Sequence, residues 1–207
     1  MGETHRRRKN NIMSSRENIL AAIKNNQPEF VAAPVIPAFI PVDTNLVEKY
    51  GTVLSGIGGK VYLIETQGQV LEILQADFNS AKRIVSNLGY LSAIAENYSA
   101  DDNPHSFKNV DLFVIESRLA VAENGAIWIT DNEVTQRALP FITQHLAVVI
   151  RKNDIVATMH DAYNKIADID YGFATFIAGP SKTADIEQSL VLGAHGARTM
   201  TVFVISV

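Results

Sequence analysis

The spacing of apolar residues divides the chain into alternating helical and extended stretches. Residues 14–25 predict an amphipathic helix: Ile19, Leu20 and Ile23 fall on one face, and Ser14-Ser15-Arg16-Glu17 has capping-box spacing, which satisfies amides left open by the first turn. A helix opening directly after Met13 points to Met13 as the natural start, with residues 1–12 an upstream extension. Pro28, Pro34, Pro37 and Pro41 then predict an extended arm, because proline lacks the amide that helices and central strands need. Leu46, Val47, Tyr50, Val53, Leu54 and Ile57 form a helical stripe stopped by Gly58-Gly59. Residues 61–64 read as a short strand, Val70, Leu71 and Leu74 as a helix, and residues 83–85 as another strand. The polar run 96–109 is expected to be an exposed or disordered loop, and the apolar run 110–115 a strand buried on both faces.

Beyond it, residues 120–130 read as two strand pieces around Glu123-Asn124-Gly125, since Asn-Gly favours a hairpin turn. A short helix is expected over 133–141, a strand over 145–150, and a helix over 154–166 with Ile155, Met159, Ala162, Tyr163 and Ile166 inward. Strands follow at 173–178, ending in Gly179-Pro180, and at 199–206. This alternation predicts the α/β class: a Rossmann-like, mainly parallel sheet with helices on both faces. The expected organisation is a disordered basic extension over 1–12, a helix and proline-rich arm over 13–42, and one α/β domain over 43–207.

Composition narrows the chemistry. The 207 residues are 47% hydrophobic and 19% charged, ordinary for one globular core. There is no cysteine, which excludes disulfides, thiolate catalysis, zinc ribbons and any cysteine-held iron–sulfur cluster in this chain. Residues 1–12 carry Arg6, Arg7, Arg8 and Lys9 against Glu3 alone, while the whole chain stands at −4. The remaining body is therefore more acidic than the total, which argues against general nucleic-acid binding. No run approaches the roughly 20 apolar residues of a membrane span. The polar stretch after Arg8 lacks the apolar region of an export signal, so a cytoplasmic location is expected.

The densest polar chemistry follows the strand at 173–178. Ser181, Lys182, Thr183, Asp185 and Glu187 come directly after it, where open α/β sheets place ligands. Ser181 and Thr183 offer donors and Lys182 a charge for a carboxylate or phosphate; equally, either hydroxyl could cap a helix. The segment is not a P-loop, because the preceding glycines are missing. His195, between Gly193 and Gly196, suits either a general acid–base or an anchor for its loop. His5, His105 and His160 read as surface residues, His145 as a satisfied strand-end residue and Trp128 as packing. Gly56-Ile57-Gly58-Gly59 precedes a strand, so it is a helix stop rather than a dinucleotide fingerprint. No metal site is expected.

Gly179-Pro180-Ser181-Lys182-Thr183-Ala184-Asp185-Ile186-Glu187, followed by Leu190-Val191-Leu192-Gly193-Ala194-His195-Gly196, is similar to the signature GPS[RK]TADIE…LV.G.HGP of the LUD (lactate-utilisation) domain family, LutC/YkgG type. Ala197 stands where that family usually has proline. Ala122-Glu123-Asn124-Gly125-Ala126 resembles its AE[TN]G[TS] motif, with Ala126 for threonine or serine. Arg137-Ala138-Leu139-Pro140, His145 and the opening Met13-Ser14-Ser15-Arg16-Glu17-Asn18-Ile19-Leu20 also match in order. The resemblance spans about residues 13–206 and implies a NagB/RpiA/CoA-transferase-like fold. It also implies L-lactate utilisation beside partner proteins that carry iron–sulfur clusters; for this chain itself, the missing cysteines and absent glycine fingerprints predict no bound cofactor.

Related CoA transferases use the glutamate of a Ser-Glu-Asn-Gly turn as nucleophile. By that analogy Glu123 would form an acyl anhydride with a thioester, or it is a buried carboxylate held by amides of 179–187. Three functions stay open: a non-redox subunit of a lactate-oxidising system that binds a small carboxylate or a partner; a free-standing CoA-transferase-like or sugar-phosphate enzyme; and a metabolite sensor. Glu123 and His195 are the candidate catalytic residues. Gly125, Gly179, Ser181, Lys182, Thr183, Asp185, Glu187 and Gly196 are the candidate ligand-binding residues. Glu123, Ser181, Lys182, Thr183, Asp185 and His195 are expected to converge on one cleft at the carboxyl end of the sheet. The expected partners are iron–sulfur proteins, a small anionic metabolite and, as an open possibility, further copies of the chain.

Overall fold

The computed structural model describes residues 14–35, 45–186 and 189–206, and between 184 and 190 the backbone only. The basic run 1–12, Pro37, Pro41 and Glu187 lie outside the described residues. Two compact units are present, Met1–Ile40 and Pro41–Val207. In the first, α1 (Ser15–Asn25) opens on the expected capping box: Glu17 N donates to Ser14 Oγ at 3.3 Å and Ser14 N donates to the Glu17 carboxylate at 2.7 Å. Residues 27–35 follow with neither helix nor strand.

The second unit contains α2 (Leu46–Gly56), β1 (Lys60–Ile64), α3 (Gln67–Asp77), β2 (Ile84–Val85), β3 (Leu112–Glu116), β4 (Ala120–Val121) and β5 (Ala126–Thr130). Next come α4 (Leu139–Ile142), β6 (His145–Arg151), β7 (Ile155–Val156), α5 (Met159–Ile166), β8 (Ala174–Ala178), β9 (Lys182–Ile186), β10 (Ser189–Leu192) and β11 (Thr199–Ile205). A five-stranded parallel sheet runs in the order β1-β11-β6-β3-β2. Its central strands are nearly continuous apolar runs because both faces are covered. Alternation along them sorts the side chains. Phe113, Ile115, Val148 and Val202 pack with Tyr50 and Leu54 of α2 on one face, whereas Leu112, Val114, Val149 and Phe203 pack with Val70 and Leu74 of α3 on the other.

A second sheet, β7-β4-β5-β8, adds Ala120, Ile127, Ile129 and Ile155 to the α2 side of this core. Its opposite face, with Val121, Trp128 and Val156, is covered by Ala162 and Ile166 of α5. The layers are thus α3, the parallel sheet, α2 with the second sheet, and α5.

Several expectations are corrected. The helix expected over 154–166 starts only at Met159. Thr158 and Asp161 form a capping box there, and the β-branched pair Ile155 and Val156 instead continues the second sheet as β7, beside β4. The helix expected over 133–141 contracts to α4, because the Glu133 carboxylate turns back onto the amide and hydroxyl of Thr130. The polar run 96–109 is anchored rather than loose: Tyr98 and Phe107 are buried. The Gln136 amide donates to the carbonyls of Ser99, Ala100 and Asp102 at 2.8, 3.0 and 2.9 Å. Residues 182–192 form a hairpin, β9 with β10, so Ser181 and Thr183 cap no helix.

Candidate functional site

The two segments that carry the resemblance meet through one strand pairing. Strand β5 runs antiparallel to β8 with Ala126 opposite Ala178, so the turn before β5 lies beside the turn after β8. Gly125 and Gly179 both have φ of +71°, a left-handed conformation that side chains resist. Each also abuts the end of α2. A Cβ at Gly125 would stand 3.1 Å from Leu54 Cα, and one at Gly179 would stand 3.1 Å from Ile57 Cγ1. Tyr50 Oη donates to the Gly125 carbonyl at 3.4 Å. Lys182 Nζ donates to the carbonyl of Ile57, the C-cap of α2, where the helix dipole favours a cation.

Ser181 donates its amide to Ala197 O at 2.8 Å and accepts from Gly193 N at 3.0 Å. Gly196 lies against it, 3.1 Å from a built Cβ to Ser181 Cβ. Arg198 N donates to Gln144 O at 2.8 Å, and His145 Nδ1 lies 2.8 Å from Thr199 Oγ1. These are the residues that open β6 and β11. The motif cluster therefore sits at the amino end of the parallel sheet, not at its carboxyl end. The expectation failed because β8 belongs to the second sheet, where the rule for ends of parallel strands does not transfer. Burial and Arg198 hold His145 below the usual histidine value, with Asp111 opposing them.

The other candidates are spread out. Glu123 is exposed, and its carboxylate accepts a 2.8 Å bond from Met159 N, the first amide of α5. Among the described residues, the 179–186 backbone donates nothing to it. His195 is exposed, Thr183 is half-buried on β9 opposite Val191, and Asp185 lies on the same strand. Glu187 falls outside the described residues. Around the end of α2 the structure gathers Gly125, Gly179 and Lys182, with Ser181 on Gly196 alongside. Glu123 instead caps a different helix. Among the described residues, no three His, Asp or Glu side chains gather into a metal-binding group.

The carboxyl end holds what the sequence reading passed over. Strand β3 ends at Glu116 and β6 at Arg151; beside them opens a cavity of about 620 Å³ whose lining includes Glu116, Arg118, Asn132, Glu133, Arg151 and Asp154. A second hollow of about 440 Å³ shares Glu116 and Arg151 and reaches Thr66 at the start of α3. Arg118 Nε lies 3.6 Å from the Glu133 carboxylate, and Arg151 Nη2 lies 3.7 Å from that of Glu116. Tyr90 buries a hydroxyl with no partner among the described residues; burial and the Glu116 charge push its pKa up to about 12. The available signal was a charged residue closing each buried apolar strand, but isolated residues at separate strand ends form no motif.

Comparison with known proteins adds the family. The LUD domain profile matches residues 14–205. Lactate utilization protein C of Anoxybacillus flavithermus is 31% identical over 106 residues, covering 51% of this chain and 48% of that protein. Its namesake in Bacillus pumilus is 32% identical over 104 residues, covering 47% and 43%. The matched part thus spans about half the length of these curated relatives. The crystal structure of a DUF162 family protein from Deinococcus radiodurans superposes with a TM-score of 0.60 at 16% identity, covering 80% of this chain and 99% of that one, a likeness of fold. With its profile matched across nearly the whole described length, the chain belongs to the LUD domain family.

Proposed function

We propose that the chain is a LutC-like, non-redox component of L-lactate utilisation, acting in the cytoplasm beside iron–sulfur proteins that carry the electrons. The observation that carries this reading is its similarity to proteins named lactate utilization protein C. The lack of any cysteine supports the division of labour, because a thiolate-held cluster would have to reside in a partner. The test is a gene deletion in the source organism. Growth on L-lactate as sole carbon source should be lost, growth on glucose kept, and the wild-type gene should restore the first. Unimpaired growth on lactate would overturn the reading.

A second reading draws on the exposed Glu123 carboxylate, held on a fixed turn by the Met159 amide. That position is open to a thioester, as CoA-transferase-like chemistry requires. A solvated carboxylate on a helix N-terminus is also a stabilised, weak nucleophile. Acyl-CoA turnover by the purified chain, abolished in Glu123→Gln, would establish this reading; absence of turnover in the wild type would remove it.

A further inference from the structure

We propose that the carboxyl end of the parallel sheet is a binding site for a polyhydroxylated monocarboxylate larger than lactate, with Arg118 and Arg151 taking the carboxylate. Open α/β sheets offer ligands the crevice beyond their strand ends, and here β3 and β6 place Glu116 and Arg151 at that crevice. Both side chains are mostly exposed, at 85% and 64%. Their ion pairs, at 3.6 and 3.7 Å, are too long to be hydrogen bonds. Among the described residues neither side chain donates a hydrogen bond, so a ligand carboxylate can take two parallel N–H donors without displacing one.

The charge of the lining selects the anion. Arg118 and Arg151 face three carboxylates, Glu116, Glu133 and Asp154. A phosphate monoester brings about −1.5 to −2 charges and meets strong repulsion there, whereas a carboxylate brings one. Glu133 is committed to Thr130, which leaves Glu116 and Asp154 to accept hydrogen bonds from ligand hydroxyls, with Asn132 beside them. Size excludes the simplest acids as a complete fit. About 620 Å³ falls in the range of ~300–1,000 Å³ that houses metabolite-sized ligands, and a three-carbon acid would leave most of it to water.

The site does not depend on the lactate role, so growth and binding experiments fail separately. Isothermal titration of the full chain with D-gluconate, L-lactate and glucose 6-phosphate tests it directly. Gluconate should bind most tightly. Arg118→Ala and Arg151→Ala should each weaken it by about tenfold or more, the loss expected for a charge-assisted bond. Lys24→Ala, an exposed charge on α1, should not weaken it. Both arginines are exposed enough for the variants to fold, which circular dichroism verifies. The proposal is overturned if gluconate gives no heat, if glucose 6-phosphate or L-lactate binds as tightly, or if both arginine variants bind gluconate like the wild type.

Discussion

The amino and carboxyl ends of the parallel sheet use polar and glycine residues in opposite ways. At the amino end, several residues of the segments that resemble the family are consumed internally. Gly125 and Gly179 let two turns close against α2, Lys182 caps that helix, and the Ser181 backbone ties down residues 193–197. At the carboxyl end, Arg118 and Arg151 stand over an open cavity with ion pairs too long for hydrogen bonds. A recognisable motif thus marks an architectural joint here, while the residues with spare bonding capacity lie in no motif. Glycine signatures report what the backbone needs at least as readily as what a ligand needs.

The contrast is sharpest in its largest expected effect. Gly125→Ala combines a left-handed backbone, costing ~1–2 kcal/mol, with a contact on the backbone of Leu54. A total near 2–3 kcal/mol should lower Tm by about 5–10 °C in calorimetry. Gly179→Ala should behave similarly, though the Ile57 side chain can yield. Gln136→Ala removes three bonds that anchor residues 99–102. It should cost about 2 kcal/mol and loosen the Tyr98 wall of the cavity, visible as faster hydrogen exchange there.

The pH dependence probes the amino end again. His145 is held below its ordinary value of 6.5, so below that pH the unfolded chain binds more protons than the folded one. Stability should therefore decline as pH falls from 6.5 through the lower folded value, and decline less in His145→Gln, as denaturant melts at several pH values will show. Glu123→Gln should cost only ~0.5 kcal/mol, shrinking further in high salt, because the carboxylate acts as an exposed cap on α5. Arg118→Ala should leave Tm within about 1–2 °C of wild type, since a loose, exposed pair contributes under ~0.5 kcal/mol. A loss there equal to that of Gly125→Ala would erase the distinction between the two ends.

Much of this architecture was legible in the pattern of apolar positions. The stripes of α2 and α3 and the continuous runs of β3, β6 and β11 follow from burial on one face or two. Short elements were harder to read. Ile155 and Val156 fit a helical stripe as well as a two-residue strand, and only their pairing with β4 decides between them. Membership of β8 in the second sheet depends on its long-range pairing with β5, which local periodicity does not encode, and that one fact moved the motif cluster to the other end of the molecule. Gln136 and Tyr98 gave no signal, because a single amide and a single ring become an anchor only once the chain has brought them together.

Strand β11 lies between β1 and β6, and within the parallel sheet β1 is bonded to nothing else. During synthesis, β1 leaves the ribosome early and then waits for residues 199–205 before it can pair with the rest of the sheet. Until then the apolar strand β6 exposes an unpaired edge to solvent, an interval in which a nascent chain is open to aggregation or chaperone capture. Completion of this fold is timed by translation of an interior strand, not of an edge.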